Sequence, residues 1–412
     1  MQQSIYTHVF PNGLTLLAER LPHVRSASFS FMIRAGGAYE SPQRLGLSGL
    51  VTDLITRGAG DRDSREFSDA LDNLGVDRSE STGVVNQHFS GVSLAKNLAP
   101  ALQLYADMLQ RPHFPDDELE PVQALALQDI QNLEDEPQSK VMVELRKSYY
   151  PDPLGRDQRG TEEGIEGSTI DDVRNHYAKH FCPANTILAV AGDIQWDALL
   201  RDVELHFGKW ADRPPTPYPI APLTGREPKY IHLQKDLDQT QIAMIFPSVP
   251  LVHPDTYLAR AAVGVLSLDM SSRLFMEVRE KHGLCYSVYA SYESFKDRGS
   301  IVAYAGARPE MAQETFDRTL HELKRLKDGI DEEELDRIKI GLKSSLIMRQ
   351  ESTGARVGSL TADWYFLGRI RTLNEIQSEL DKLSVPAILD HVGRFPPQGM
   401  TVVTFGPKAL TI

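Results

Sequence analysis

At 412 residues the chain is roughly two to three times the length of a typical domain, which excludes a single compact core. Hydrophobic residues at 41% and charged residues at 25% exclude a disordered chain, a collagen-like chain and a disulfide scaffold. The 57 acidic residues against 44 Lys and Arg give a formal charge of −13 with no local basic patch, which argues against nucleic acid as a partner.

Cys182 and Cys285 are too few for a disulfide framework and suit a reducing compartment. The first residues, Met1-Gln2-Gln3-Ser4-Ile5-Tyr6, carry neither a basic start nor an apolar run. No stretch approaches the ~18 apolar residues of a membrane span. A cytoplasmic location is therefore expected; removal of an export signal from a longer precursor would place the chain in the periplasm instead.

In chain order, 8–10 and 14–17 read as a strand pair around Pro11-Asn12-Gly13, because Asn-Gly favours the backbone of a hairpin turn. Ala27, Phe29, Phe31 and Ile33 then alternate with Ser26, Ser28, Ser30 and Met32, the period of a half-buried strand. The period changes at Leu47, Leu50, Val51, Leu54 and Ile55, which make one apolar helical stripe. A strand follows near 84–92, amphipathic helices near 98–109, 117–133 and 170–180, and a strand at 186–191. From Trp210 the sequence turns proline-rich, and an interrupted, stiff connector is expected. We place the domains at 1–212 and 231–412, with the linker at 213–230.

Beyond the linker the pattern restarts with a strand at 241–246, helices to about 281, and strands at 286–295 and 300–307. Helices take up most of 310–383, and a strand at 401–405 closes the chain. Pro397 and Gly406 stand 214 positions after Pro183 and Gly192, each pair bracketing a closing strand. A duplicated α+β unit is the simplest architecture.

The residues also resemble a known family. Phe10-Pro11-Asn12-Gly13-Leu14, then Gly36-Gly37-Ala38-Tyr39-Glu40 running into Gly46-Leu47, carry the likeness in the first half. So do Pro153-Leu154-Gly155-Arg156, Gly160-Thr161, Pro183-Ala184-Asn185 and Gly192-Asp193. In the second half it rests on Ser272-Arg273-Leu274-Phe275-Met276-Glu277-Val278-Arg279-Glu280 and Gly283-Leu284-Cys285-Tyr286-Ser287. Over essentially its whole length the chain resembles the pitrilysin/insulinase superfamily of zinc peptidases, in particular bacterial members similar to mitochondrial processing peptidase. The resemblance implies an α+β fold of two homologous halves, each a mostly antiparallel sheet covered by helices, arranged as a clamshell.

Enzymes of that family carry H-x-x-E-H on the helix after the Gly-rich strand, with a third ligand, a Glu, from a later helix. Two histidines four apart share a helix face and a zinc ion, and the neighbouring Glu takes a proton from the metal-bound water. Here the histidine positions hold Gly49 and Asp53, the general-base position holds Thr52, and the distal ligand position holds Asp129. Gly49 has no side chain and Thr52 is no base at neutral pH, so no zinc is expected in this chain. His176 and His180 also stand four apart, but with no adjacent Glu and with Lys179 between them; a surface helix is the expectation. Arg298-Gly299-Ser300 reads as a turn, Glu332-Glu333-Glu334 as a solvated helix start, and Arg356 and Arg369 as surface charges.

The resemblance also implies that Arg279 and Tyr286, seven residues apart, hold the substrate backbone and stabilise the tetrahedral intermediate. Spacing by itself allows a plainer account, a helix-end cation and a strand aromatic. Similar bacterial proteins occur as two chains, one with the zinc motif and one with the Arg/Tyr pair. The expectation is therefore a non-catalytic, substrate-binding subunit of a heterodimeric zinc metallopeptidase, its zinc in a homologous partner and its substrate a peptide or unfolded polypeptide. The alternative is a purely structural family member, a scaffold like the core subunits of respiratory complexes, with no proteolytic role.

Overall fold

The computed structural model describes residues 3–221 and 227–412. Residues 222–226 of the expected linker lie outside them. In chain order the first half runs β1 (Ser4–Val9), β2 (Thr15–Arg20), β3 (Ser26–Ile33), α1 (Leu47–Leu54), α2 (Ser64–Asn73), β4 (Asp77–Thr82) and β5 (Gln87–Leu94). It continues with α3 (Leu98–Gln110), α4 (Leu119–Asn132), α5 (Pro137–Tyr149), α6 (Glu162–Glu166), α7 (Ile170–His180), β6 (Thr186–Gly192) and α8 (Trp196–Phe207). The second half runs β7 (Lys229–Gln234), β8 (Thr240–Ser248), α9 (Thr256–Ser267), a short helical segment at Phe275–Glu280, β9 (Cys285–Ser294) and β10 (Gly299–Ala307). After these come α10 (Ala312–Arg325), α11 (Glu332–Met348), α12 (Thr353–Leu367), α13 (Leu373–Asp381), α14 (Val385–Arg394) and β11 (Thr401–Gly406).

The strands form two sheets, ordered β1-β2-β6-β3-β5-β4 and β7-β11-β8-β10-β9. Among the described residues only β2–β6 in the first and β7–β11 in the second are parallel, and every other pairing is antiparallel. From β2 onward the first sheet repeats the second strand for strand and direction for direction. This is the duplication signalled by Pro183/Pro397 and Gly192/Gly406, and it makes the fold α+β with each sheet mostly antiparallel.

Two compact units result, and neither is one continuous stretch of chain. The first comprises Met1–Asn132, Tyr150–Ala221 and Arg349–Ile370; the second comprises Leu133–Tyr149, Pro222–Met348 and Arg371–Ile412. Thus α12 belongs to the unit of the first sheet, where it covers β6 and β3, and α5 belongs to that of the second, where it covers β8 and β11.

The exchange changes the character of β3. Its odd residues Phe29, Phe31 and Ile33 enter the main core with Leu50, Val51, Leu54 and Tyr105. The even face, expected in solvent, is buried as well, because α12 lies on it: Ser28 Oγ sits 2.6 Å from Thr353 Oγ1. Arg356, expected at the surface, is only 3% exposed and forms a buried ion pair at 2.6 Å with Glu19 of β2. Glu334 is likewise no solvated cap, since Arg273 grips it with two bonds of 2.7 Å.

Candidate functional site

The helix that would carry a zinc motif is built as the family pattern demands. Leu47, Leu50, Val51, Leu54 and Ile55 are all buried, at about 1.5–3 kcal/mol each relative to exposure. Gly46, at φ +102°, turns the chain into α1. The first turn lacks a side-chain cap of its own, and Glu40 supplies one from outside. Its carboxylate accepts from the backbone N–H of Gly46 (2.8 Å) and Ser48 (2.7 Å) and from the Ser48 hydroxyl. Burial pushes the Glu40 carboxyl up, opposed by those hydrogen bonds. Arg156 in turn donates to the carbonyls of Gly37 (3.2 Å) and Glu40 (2.8 Å). Gly36 allows a close approach, for a Cβ there would lie 2.3 Å from the Gly83 carbonyl. The first-half motifs therefore hold α1 in place.

On this scaffold the zinc chemistry is missing. A Cβ at Gly49 would meet nothing within 4 Å, so there is room for a side chain and none is present. Thr52 is 4% exposed; its hydroxyl donates to the Ser48 carbonyl at 3.0 Å and lies 2.7 Å from Thr82 Oγ1. Desolvation raises the Asp53 pKa most, Arg57 lowers it, and the charge of Asp129 raises it. Because Asp53 still reaches water, that shift is worth little in energy. Arg57, which also approaches Glu118 at 3.9 Å, already supplies a cation beside these carboxylates. Two oxygen ligands and no imidazole do not fit zinc. Among the described residues no group of three His, Cys, Asp or Glu is placed to hold a metal.

Sequence reasoning missed Glu80 on β4, whose carboxyl is raised by burial and by Asp53 and lowered by Arg78. The signal was faint, because β4 reads Asp-Arg-Ser-Glu-Ser-Thr and has no apolar alternation.

The helix face of His176 and His180 is not at the surface, contrary to expectation. They are 6% and 2% exposed, their rings 4.6 Å apart. His176 Nε2 lies 2.9 Å from the Ala35 carbonyl and His180 Nδ1 2.9 Å from Thr216 Oγ1. Burial first, then nearby positive charge, lowers their pKa to about 4 and about 3.

The second unit holds Arg279 and Tyr286 together. The segment Phe275–Glu280 is wound wider than an α-helix, with the Lys281 N–H reaching the Met276 carbonyl five residues back at 2.9 Å. Gly283, at φ +61°, ends it, and β9 begins at Cys285. The Arg279 guanidinium lies between two rings, 4.7 Å from the centroid of Phe275 and 4.8 Å from that of Tyr286. Tyr286 is 78% exposed, so the half-buried strand aromatic allowed by spacing is not what the fold makes of it. Glu280, at 4.0 Å, is a distant counter-ion. Phe275 was also missed, although its position four residues before Arg279 on a helix was a usable signal.

Residues 15–162 match the family described as insulinase (Peptidase family M16), and residues 168–342 the one described as Peptidase M16 inactive domain. The chain is 30% identical over 386 residues, 92% of each sequence, to YmxG of Bacillus subtilis, named as an uncharacterized zinc protease. It is 24% identical over 413 residues, 100% of each, to an uncharacterized zinc protease of Rickettsia bellii. The crystal structure of a peptidase M16 inactive domain from Pseudomonas fluorescens has the same fold, with a TM-score of 0.92 at 21% identity over 99% of both chains. So does a protease from Helicobacter pylori, at 0.91 and 20% over 98% of this chain and 100% of that one.

Proposed function

The chain belongs to the insulinase family of M16 peptidases, and we propose that it acts there as the non-catalytic, substrate-binding subunit of a heterodimeric zinc metallopeptidase. One observation carries the reading: a half-buried Arg279 stacked on an exposed Tyr286 in a chain whose α1 offers neither an imidazole nor a general base. A ring exposed to this degree contributes little to stability, so packing does not account for it.

In the proposed complex a homologous partner supplies the zinc and the Glu that activates water. This chain supplies the grip on a peptide or unfolded polypeptide. The Arg279 guanidinium, kept flat between two rings, donates to backbone carbonyl oxygens of the peptide. The Tyr286 hydroxyl donates to the oxygen that gains charge during attack.

The test uses this chain assembled with a homologue bearing H-x-x-E-H, sought first in the neighbouring reading frame. Arg279→Ala and Tyr286→Phe should each slow hydrolysis of a fluorogenic peptide by about 10²-fold, as for loss of one oxyanion donor. Assembly and the thermal melt should not change. Arg279→Lys should rescue poorly, since an ammonium cannot reproduce the planar fork. Full activity in both variants would leave the structural-scaffold alternative standing.

A further inference from the structure

The duplicated sheets differ at one edge. In the first unit β1 lies antiparallel along the outer side of β2, and its Tyr6 stacks at 4.9 Å on Trp196 of α8. In the second unit the counterpart of β2 is β7. Each is parallel to the closing strand of its unit, with Arg20 opposite Gly192 in one and Gln234 opposite Gly406 in the other. Among the described residues no strand pairs with the outer side of β7, and its residues are all at least partly exposed. Its outward N–H and C=O groups form an unpaired row of the kind that templates strand addition.

A groove of about 710 Å³ lies beside this edge. Tyr230 and Val402, which pair across β7 and β11, share one face of the sheet, and Phe316 and Leu320 of α10 add further apolar lining. Lys229, Lys324 and Ile412 also line it, and among the described residues no Asp or Glu does, in a chain whose net charge is −13. Both lysines are exposed, and neither has an ion pair among the described residues. Lys229 only donates to the Ser148 carbonyl at 3.4 Å.

We infer that the outer edge of β7 is a strand-addition site for an extended segment of another polypeptide, antiparallel to β7, with apolar side chains at alternate positions and a carboxylate opposite Lys229. The internal repeat supplies the register. Lys229 occupies the place of Thr15, which faces Val9 of β1. Tyr230 and His232 occupy the places of Leu16 and Ala18, which face His8 and Tyr6. Ring side chains at those two positions of the guest would enter the groove over Tyr230. Main-chain hydrogen bonds would supply affinity, and the groove and lysines specificity. The inference is independent of the peptidase-subunit reading, because it uses neither Arg279 nor a zinc-bearing partner.

The probe is a fluorescein-labelled peptide with the residue 3–10 sequence of this chain carrying Val9→Glu, titrated into the full-length protein. Saturable binding by anisotropy is expected, with slowed hydrogen exchange at 229–234. A Lys229→Glu/Lys324→Glu double variant with an unchanged melt should bind at least about tenfold more weakly and prefer a Val9→Lys peptide. No saturation up to about 1 mM, or equal affinity in the double variant, would overturn the inference. Protection of β2 rather than β7 would overturn it too, as displacement of β1. Concentration-dependent dimers that protect β7 without peptide would give the edge to a second copy of the chain and overturn it as well.

Discussion

Around α1, polar side chains are turned inward to hold the fold, whereas between Phe275 and Tyr286 they are left outside it. Glu40 caps α1, Arg156 braces the loop before it, and Thr52 bonds the helix backbone. Arg279, by contrast, rests between two rings with its counter-ion at 4.0 Å. The contrast teaches that the geometry of a metal helix and its chemistry are separable. Capping and an apolar stripe make the first, and three or four side chains make the second.

The largest expected effect comes from returning chemistry to the surviving geometry. Gly49→His, Thr52→Glu, Asp53→His and Asp129→Glu together should take bound zinc from none to about one per chain, measured by metal analysis after dialysis. The open space at Gly49 accommodates the imidazole. Activity is a separate matter, because groups that orient the ligands are needed as well. A folded fourfold variant without zinc would break the assignment of Asp129 or the register of α1.

Next in size is the comparison of a buried with a half-buried arginine. Arg356→Ala leaves Glu19 buried beside Gln3, and denaturant melts should lose about 3–5 kcal/mol. Arg279→Ala should stay within about 0.5 kcal/mol. Glu19→Leu with Arg356→Met should lose far less than Arg356→Ala, since no lone charge remains. Equal losses for the two single alanine variants would undo the distinction.

Acid should sharpen the contrast further. His176 and His180 have folded pKa values near 4 and 3, below the usual 6.5, so the unfolded chain binds more protons. Their contribution is complete above pH 6.5 and is lost as pH falls toward 4, by up to about 1.4 kcal/mol per pH unit for each. His176→Gln should flatten the profile of stability against pH in this window. A wild-type profile that is already flat there would refute the burial of the pair.

The smallest effect belongs to Gly49→Ala, which should stabilise α1 by up to about 1 kcal/mol because the added methyl meets nothing. A loss of stability would mean the space beside Gly49 is not open.

The sequence by itself determined whatever depends on neighbouring residues or on residue type. The β1–β2 hairpin, the stripe of α1, the closing strand β6, the duplication, and the absence of imidazole at Gly49 and Asp53 are of this kind. It did not reveal β4, because an edge strand in contact with water needs no apolar alternation, and so Glu80 went unseen. Nor did it reveal α2, α5, α8 or α14, or the strand β7, whose half-buried pattern is weak. Only the tertiary structure decided which sheet each exchanged helix covers. A helix shows its apolar face in its own residues, but the surface that buries this face lies elsewhere in the chain. Arg356 and Glu19 are 337 residues apart, and nothing near Arg356 distinguishes a charge bound for solvent from one bound for the inner face of β2.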